Sequence, residues 1–247
     1  MERLSYDMHI HTCLSPCGDN NSTPANVVGM AALAGLDVIA ICDHNTCKNL
    51  PAAMACGEAY GVIVIPGMEL TTSEDVHVLC YFYTLEDALA FGEYVEQNHM
   101  RIPNKPDYFG DQLIMNEDDE EIGIIEWFLP AASNISFDDV ADALKPYNGL
   151  MVPAHINKSS TSVLANLGFL PIDSNFTTCE IQTIDKIGET RDQHAYLKKC
   201  HILSSSDAHQ LEDIHEAEFF LHAEERSVKA ILDYLSNYLD DSIAEQA

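Results

Sequence analysis

Short apolar runs alternate with longer amphipathic stretches through most of the chain, and each change of period marks an element. Segment 4–11 reads as a strand and 12–23 as a polar loop. Pro24 opens a helix capped by Thr23 and stopped by Gly35. The largely apolar run 36–42 suits a strand buried on both faces, and it ends in Asp43-His44-Asn45. A helix over 50–60 closed by Gly61, a buried strand 62–65 leading to Glu69, a strand 76–82 carrying His77, and a helix 85–99 follow. Segment 101–135 breaks the rhythm with Pro103, Pro106, Gly110 and the acidic run 117–121. It reads as a surface insertion tethered by Trp127 and Phe128, with the acidic run as a solvated face; its other use is a lid over a site. Alternation resumes with helix 136–145 capped by Ser136, strand 149–154, helix 160–167, strands 178–183, 201–205 and 218–222, and an amphipathic helix 226–239. The tail 240–247 is polar and is expected to fray. This alternation predicts an α/β fold with a mainly parallel sheet or barrel, in one domain over residues 1–247.

Composition narrows the class. The 47% hydrophobic content of the 247 residues fits a globular chain, and no apolar run reaches the roughly 18 residues of a membrane span. The N-terminus lacks a basic region followed by an apolar core, so no signal peptide is read. Eight scattered cysteines then point to reduced thiols and a cytoplasmic location. The formal charge of −28 repels a nucleic-acid backbone. It favours a small phosphorylated substrate, or a short nucleic-acid end held mainly by metals, and disfavours long nucleic acid; no membrane partner is expected.

Candidate chemistry gathers where apolar strands end. His9 and His11 alternate on one run, so they share a face of a strand and offer two imidazoles to a metal. His44, Glu69, His155, Asp207 and His209 end later strands, and His77 lies within one. In α/β folds such carboxyl ends line the site. Charged groups gathered there repel one another unless something positive neutralises them, which divalent metals do.

Four motifs then define a resemblance: Asp7-Met8-His9-Ile10-His11-Thr12, Ile41-Cys42-Asp43-His44-Asn45, Gly67-Met68-Glu69 with His77, and Ser206-Asp207-Ala208-His209, with Pro153-Ala154-His155 as a fifth element. Together they resemble the PHP (polymerase and histidinol phosphatase) superfamily of metal-dependent phosphoesterases. The resemblance implies a distorted (β/α)7 barrel with two or three divalent ions, zinc, manganese or iron, in a cleft at the strand ends. It implies His9, His11, Glu69 and Asp207 on a first metal, Glu69 bridging to a second with His77 and His155, and His44 and His209 on a third. The last ligand comes from the loop after His11. Counting forward gives Cys17 and counting back gives Asp19; a thiolate favours zinc and a carboxylate favours manganese, iron or magnesium.

The implied activity is hydrolysis of a small phosphate ester (a monoester, a nucleotide or a short oligonucleotide end) by a hydroxide bridging two metals. Glu69 and Asp207 are the catalytic carboxylates, Asp207 helping with the nucleophile's proton. Lys158, close after His155, is the candidate phosphate contact; Arg191 and Arg101 are weaker ones. Asp43 is read as orienting an imidazole, with Thr12 and Asn45 adding hydrogen bonds. The alternatives are a metal-dependent hydrolase of another bond and a noncatalytic metal-stabilised binding module.

Overall fold

The apolar runs form the strands of a mixed α/β fold. The structure is a computed structural model and describes residues 1–171 and 174–239; the expected tail 240–247 lies outside these. The strands are β1 (Glu2–Ile10), β2 (Val38–Ile41), β3 (Ile63–Thr71), β4 (His77–Phe82), β5 (Leu113–Met115), β6 (Glu121–Ile124), β7 (Gly149–Pro153), β8 (Thr178–Glu180), β9 (His201–Leu203) and β10 (Phe220–Ala223). The helices are α1 (Pro24–Leu33), α2 (Leu50–Tyr60), α3 (Leu85–Asn98), α4 (Pro106–Phe109), α5 (Val140–Leu144), α6 (Val163–Asn166), α7 (Ile187–Gln193) and α8 (Val228–Leu235). Among the described residues, no helix is long and apolar enough to cross a membrane.

One sheet runs β10-β1-β2-β3-β4-β7, and β8 pairs with β9. Past β7, the Ile156 amide donates to the Glu180 carbonyl at 2.9 Å; past β9, Ala208 bridges to Ile10. The strands β1-β2-β3-β4-β7-β8-β9 therefore curl round into a distorted barrel, and their site ends face one another. β1, β2 and β3 are mutually parallel, as are β8 and β9. β4 is antiparallel to both neighbours, unlike the mainly parallel pattern expected. Residues 72–76 form a turn too short for a crossover helix.

Two apolar layers sandwich the strands. Leu4, Tyr6, Met8, Val38, Ala40, Ile65, Leu79, Tyr81 and Val152 fill the interior together with Ile231, Leu232 and Leu235 of α8. Ile39, Ile41, Val64, Val78 and Cys80 belong to an outer layer with Val28 of α1, Ala53 of α2 and Phe91 of α3. The α1 cap is Thr23, whose side chain accepts from the Asn26 amide, and α2 ends at Gly61 with φ 74°.

Several elements are shorter than the pattern suggests. The helix expected over 136–145 is split between a 3-10 turn at Phe137–Asp139 and α5, and α8 ends at Leu235. The strands expected over 178–183 and 201–205 stop after three residues, where the backbone turns into the site loops. Segment 101–135 contributes α4 and the β5–β6 hairpin; its acidic residues 117–121 are exposed around the hairpin turn.

Side-chain parity decides what reaches the site. Leu4, Tyr6 and Met8 face the interior, so strict alternation would turn His9 and His11 outward. The β1–β2 register shifts between Asp7 and Ile10, and Ile10 falls in the outer layer instead. This bulge brings His9 and His11 inward. The Met8 carbonyl within it accepts from the Tyr81 hydroxyl at 2.7 Å. At β7 the parity changes at His155 itself, where φ is 27°: Ala154 faces the interior and Ile156 the outer layer.

Candidate metal centre

Five imidazoles converge on one buried carboxylate. Glu69 lies 3.4 Å from His9 Nε2, 3.4 Å from His11 Nε2, 3.0 Å from His44 Nδ1, 2.8 Å from His77 Nδ1 and 3.2 Å from His155 Nε2. Asp207 Oδ1 lies 3.4 Å from both His9 Nε2 and His11 Nε2. Three overlapping sets have ligand-type atoms within 4.8 Å of one another: His9, His11, Glu69 and Asp207; His44, Glu69 and His77; His11, His44 and His209. The strand ends thus bring together eight of the ten residues expected to bind metal. Glu69 and His44 are buried, whereas Asp207 and His209 are about one quarter exposed and mark the mouth.

The neighbours of the rings fix which nitrogens face inward. His9 Nδ1 donates to Glu180 Oε2 at 3.1 Å, and His209 Nδ1 donates to the Asp207 carbonyl at 2.7 Å. Ser15 Oγ gives its proton to Asp43 Oδ1 at 2.7 Å, so it accepts from His11 Nδ1 at 2.9 Å. When neutral, each of these three rings therefore presents an Nε2 lone pair to the centre. Glu69 Oε2 and His44 Nδ1 are buried without a hydrogen bond although only 3.0 Å apart. Buried ligand-type atoms that converge without a hydrogen bond fit a bound cation. The His/Asp/Glu set suits a divalent ion.

Charge follows the same geometry. Burial pushes imidazole pKa values down; at His9 the carboxylates Glu180, Asp207 and Glu69 overcome it and raise the pKa well above its ordinary value. His44, despite burial, is pushed up to about 9 by Glu69 and by the Cys17 side chain. Burial and the charge of His11 hold His209 down at about 3. The Asp207 carboxyl, despite partial burial, is held well below its usual range by His9 and His11.

The two loop candidates part company. Cys17 is exposed and lies outside the three clustered sets, but its side chain helps raise the His44 pKa. The Asp19 carboxylate turns away to accept from the Asn21 amide and side chain, both at 2.7 Å. Lys158 Nζ lies 2.9 Å from Asp207 Oδ2 at the mouth. Arg101 is engaged by Glu96 and stacks over Trp127. The charge of Arg191 is felt at Cys179 and Cys200. Asp43 orients His11 through Ser15 and also accepts from the Thr12 amide and hydroxyl. Asn45 (φ 52°) ties Thr71 to the 129–131 segment.

Sequence reasoning missed Glu180, Ser15 and the role of Asp7. Glu180 is buried and also accepts from the His155 amide at 3.0 Å. A charged residue closing an apolar strand was the available signal, hidden because the strand was expected to run on to 183. Asp7 accepts from the Ser206 and His215 amides, pinning the loop that carries Asp207, whose own φ is 53°.

A curled α/β barrel with a buried polyhistidine–carboxylate centre at its strand ends defines the class. The chain belongs to the PHP domain family, whose model matches residues 7–156, more than half of its length. A 5′-3′ exoribonuclease of Haemophilus influenzae is 32% identical over 68 residues, covering 28% of this chain and 24% of that protein. The lesion-specific endonuclease Q of Pyrococcus furiosus superposes with a TM-score of 0.70 at 19% identity, over 95% of this chain and 56% of that one. Endonuclease Q in complex with a 27-mer duplex carrying an abasic lesion at the active site gives a TM-score of 0.67 at 18% identity, over 93% and 55%. The chain thus spans about a quarter of the exoribonuclease and about half of endonuclease Q.

These neighbours correct one expectation. From the charge of −28, a small phosphorylated substrate or a short nucleic-acid end is expected, and no long nucleic acid. The same fold holds a DNA duplex at the active site of endonuclease Q, and a relative is an exoribonuclease. A charge summed over the chain omits bound metal ions and says little about the potential inside one cleft.

Proposed function

We propose that this PHP protein is a metal-dependent phosphoesterase acting on phosphodiester bonds of nucleic acid, and that residues 1–247 form one PHP domain with 101–135 as an insertion. The observation that carries the reading is the convergence of five imidazoles on Glu69, with Asp207 opposite. His9, His11, Glu69 and Asp207 would hold a first divalent ion, and Glu69, His77 and His155 a second. His44 and His209 would hold a third with Cys17, rather than Asp19, as the loop ligand, and a thiolate there favours zinc. Bound ions of this kind supply an acidified water as nucleophile and positive charge for the phosphate oxygens. Asp207, at the mouth and accepting from Lys158, would take the nucleophile's proton. Lys158, kept charged by Asp207 despite partial burial, is placed to contact a phosphate oxygen.

The test is hydrolysis of labelled DNA and RNA oligonucleotides, bis-p-nitrophenyl phosphate and p-nitrophenyl phosphate, with added Mn²⁺ or Zn²⁺, after chelation, and with His9→Ala. Metal-dependent cleavage of the diesters, reduced about 100-fold or more in His9→Ala, is expected. Turnover of the monoester alone would make the protein a phosphatase. Bound metal with no turnover on any substrate would leave a binding module.

A further inference from the structure

We infer that Glu180 is a positioning residue of the metal centre: it fixes the ring of His9 with Nε2 directed inward and anchors the backbone of His155, and so sets how tightly the centre holds its ions. The inference rests on the metal-centre reading above. Glu180 is the last residue of β8, and its neighbours Cys179 and Ile181 lie in the outer layer, so its side chain points into the barrel toward the strand ends. It is 2% exposed. One oxygen, Oε2, takes both the His9 Nδ1 proton at 3.1 Å and the His155 amide at 3.0 Å. The Glu180 carbonyl accepts from the next amide, Ile156, at 2.9 Å. A single residue of β8 thus links the metal-facing histidines of β1 and β7, on either side of Glu69.

The charge needs its own reason. A buried carboxylate is costly, and here Oε1 has no hydrogen-bond partner. A glutamine would fill the same space and accept the same two bonds without burying a charge. What glutamine cannot do is polarise the His9 imidazole: a carboxylate on Nδ1–H makes the opposite nitrogen a stronger donor to a cation. His155 shows the second task. Its φ of 27° lies in a region that side chains rarely adopt, and the Glu180 bond to its amide holds that turn in place.

The experiment is Zn²⁺ and Mn²⁺ affinity, measured by competition with a chromophoric chelator, for the wild type, Glu180→Gln, His9→Ala and the double variant. Glu180→Gln is expected to weaken binding about 10–100-fold in the wild-type background and less than about twofold once His9 is absent. Equal affinity of Glu180→Gln and wild type, or the same loss in both backgrounds, would overturn the inference and leave the metal centre standing. A wild type that binds no metal would instead remove the reading beneath it. Should Glu180→Gln fail to fold by circular dichroism, Glu180→Asp, which withdraws the carboxylate from both His9 and the His155 amide, is compared in the same two backgrounds: a larger loss with His9 present than without it is expected, and an equal loss in both, or none, would overturn the inference.

Discussion

At neutral pH the imidazoles of the metal-free centre differ in whether they carry a proton. Burial works against the charged form everywhere, but beside Glu69 and the Cys17 side chain His44 keeps its proton up to about 9, whereas His209, beside His11, stays neutral down to about 3. A metal that takes His44 must displace that proton. Zn²⁺ added to chelated protein at pH 7 is therefore expected to release at least about one proton, and affinity is expected to rise with pH through about 9. A pH indicator in weakly buffered solution reads the release; no release would place the metal away from His44. The sign for stability is opposite. A histidine whose folded pKa is raised stabilises the metal-free fold fully below its unfolded value near ~6.5, and this is lost as pH rises through about 9. The individual residues of this centre were largely legible, because His, Glu and Asp at the ends of apolar runs have few structural uses. Glu180 and Ser15 were not: each acts through a partner more than 25 positions away or through a hydroxyl whose direction depends on Asp43.

At the scale of elements, segment 101–135 is docked as a wall beside the loops after β1 and β2. The Leu113 amide donates to the Cys13 carbonyl at 3.0 Å, the Met115 amide to Asn49 Oδ1 at 3.0 Å, and Asn45 Nδ2 to the Leu129 carbonyl at 2.7 Å. These bonds fasten it to the loops after β1 and β2 that carry Cys17 and His44. Gly110 is the tight point: φ is 96°, and a Cβ there would sit 2.0 Å from the Pro16 carbonyl oxygen. Gly110→Ala is expected to cost about 1–3 kcal/mol, a Tm loss of roughly 2–10 °C, and to expose 101–115 to limited proteolysis. An unchanged Tm and digestion pattern would mean that the wall does not depend on this contact. The apolar periods predicted β1, β2, α1, α2 and α3 closely, since each is long or buried on a whole face. They missed α7 and overran α6, β8 and β9, short elements held by tertiary contacts.

For the whole molecule, a net charge of −28 remains a physical fact about approach, even though it does not exclude nucleic acid. Like charges slow encounter, and salt screens them. If an oligonucleotide is the substrate, kcat/KM at saturating metal is expected to rise roughly threefold between about 20 and 150 mM monovalent salt, opposite to the usual fall for basic nucleic-acid proteins. A fall over that range would point to a local cationic track that outweighs the total charge. The same rates on bis-p-nitrophenyl phosphate serve as the control, because a small substrate feels less of the summed field.

The sequence by itself determined the α/β class, the succession of elements in the first half and which ligand-type residues end its apolar runs, because burial periodicity and residue type are local properties. Tertiary structure decided which way those residues point. By alternation alone, His9 and His11 belong to the face opposite Met8, and His155 to the face opposite Ala154. A bulge between Asp7 and Ile10 and a left-handed turn at His155 reverse that parity. Both irregularities are sustained by distant partners, the Tyr81 hydroxyl on the Met8 carbonyl and the Glu180 carboxylate on the His155 amide, and no local pattern of hydrophobic and polar residues encodes them.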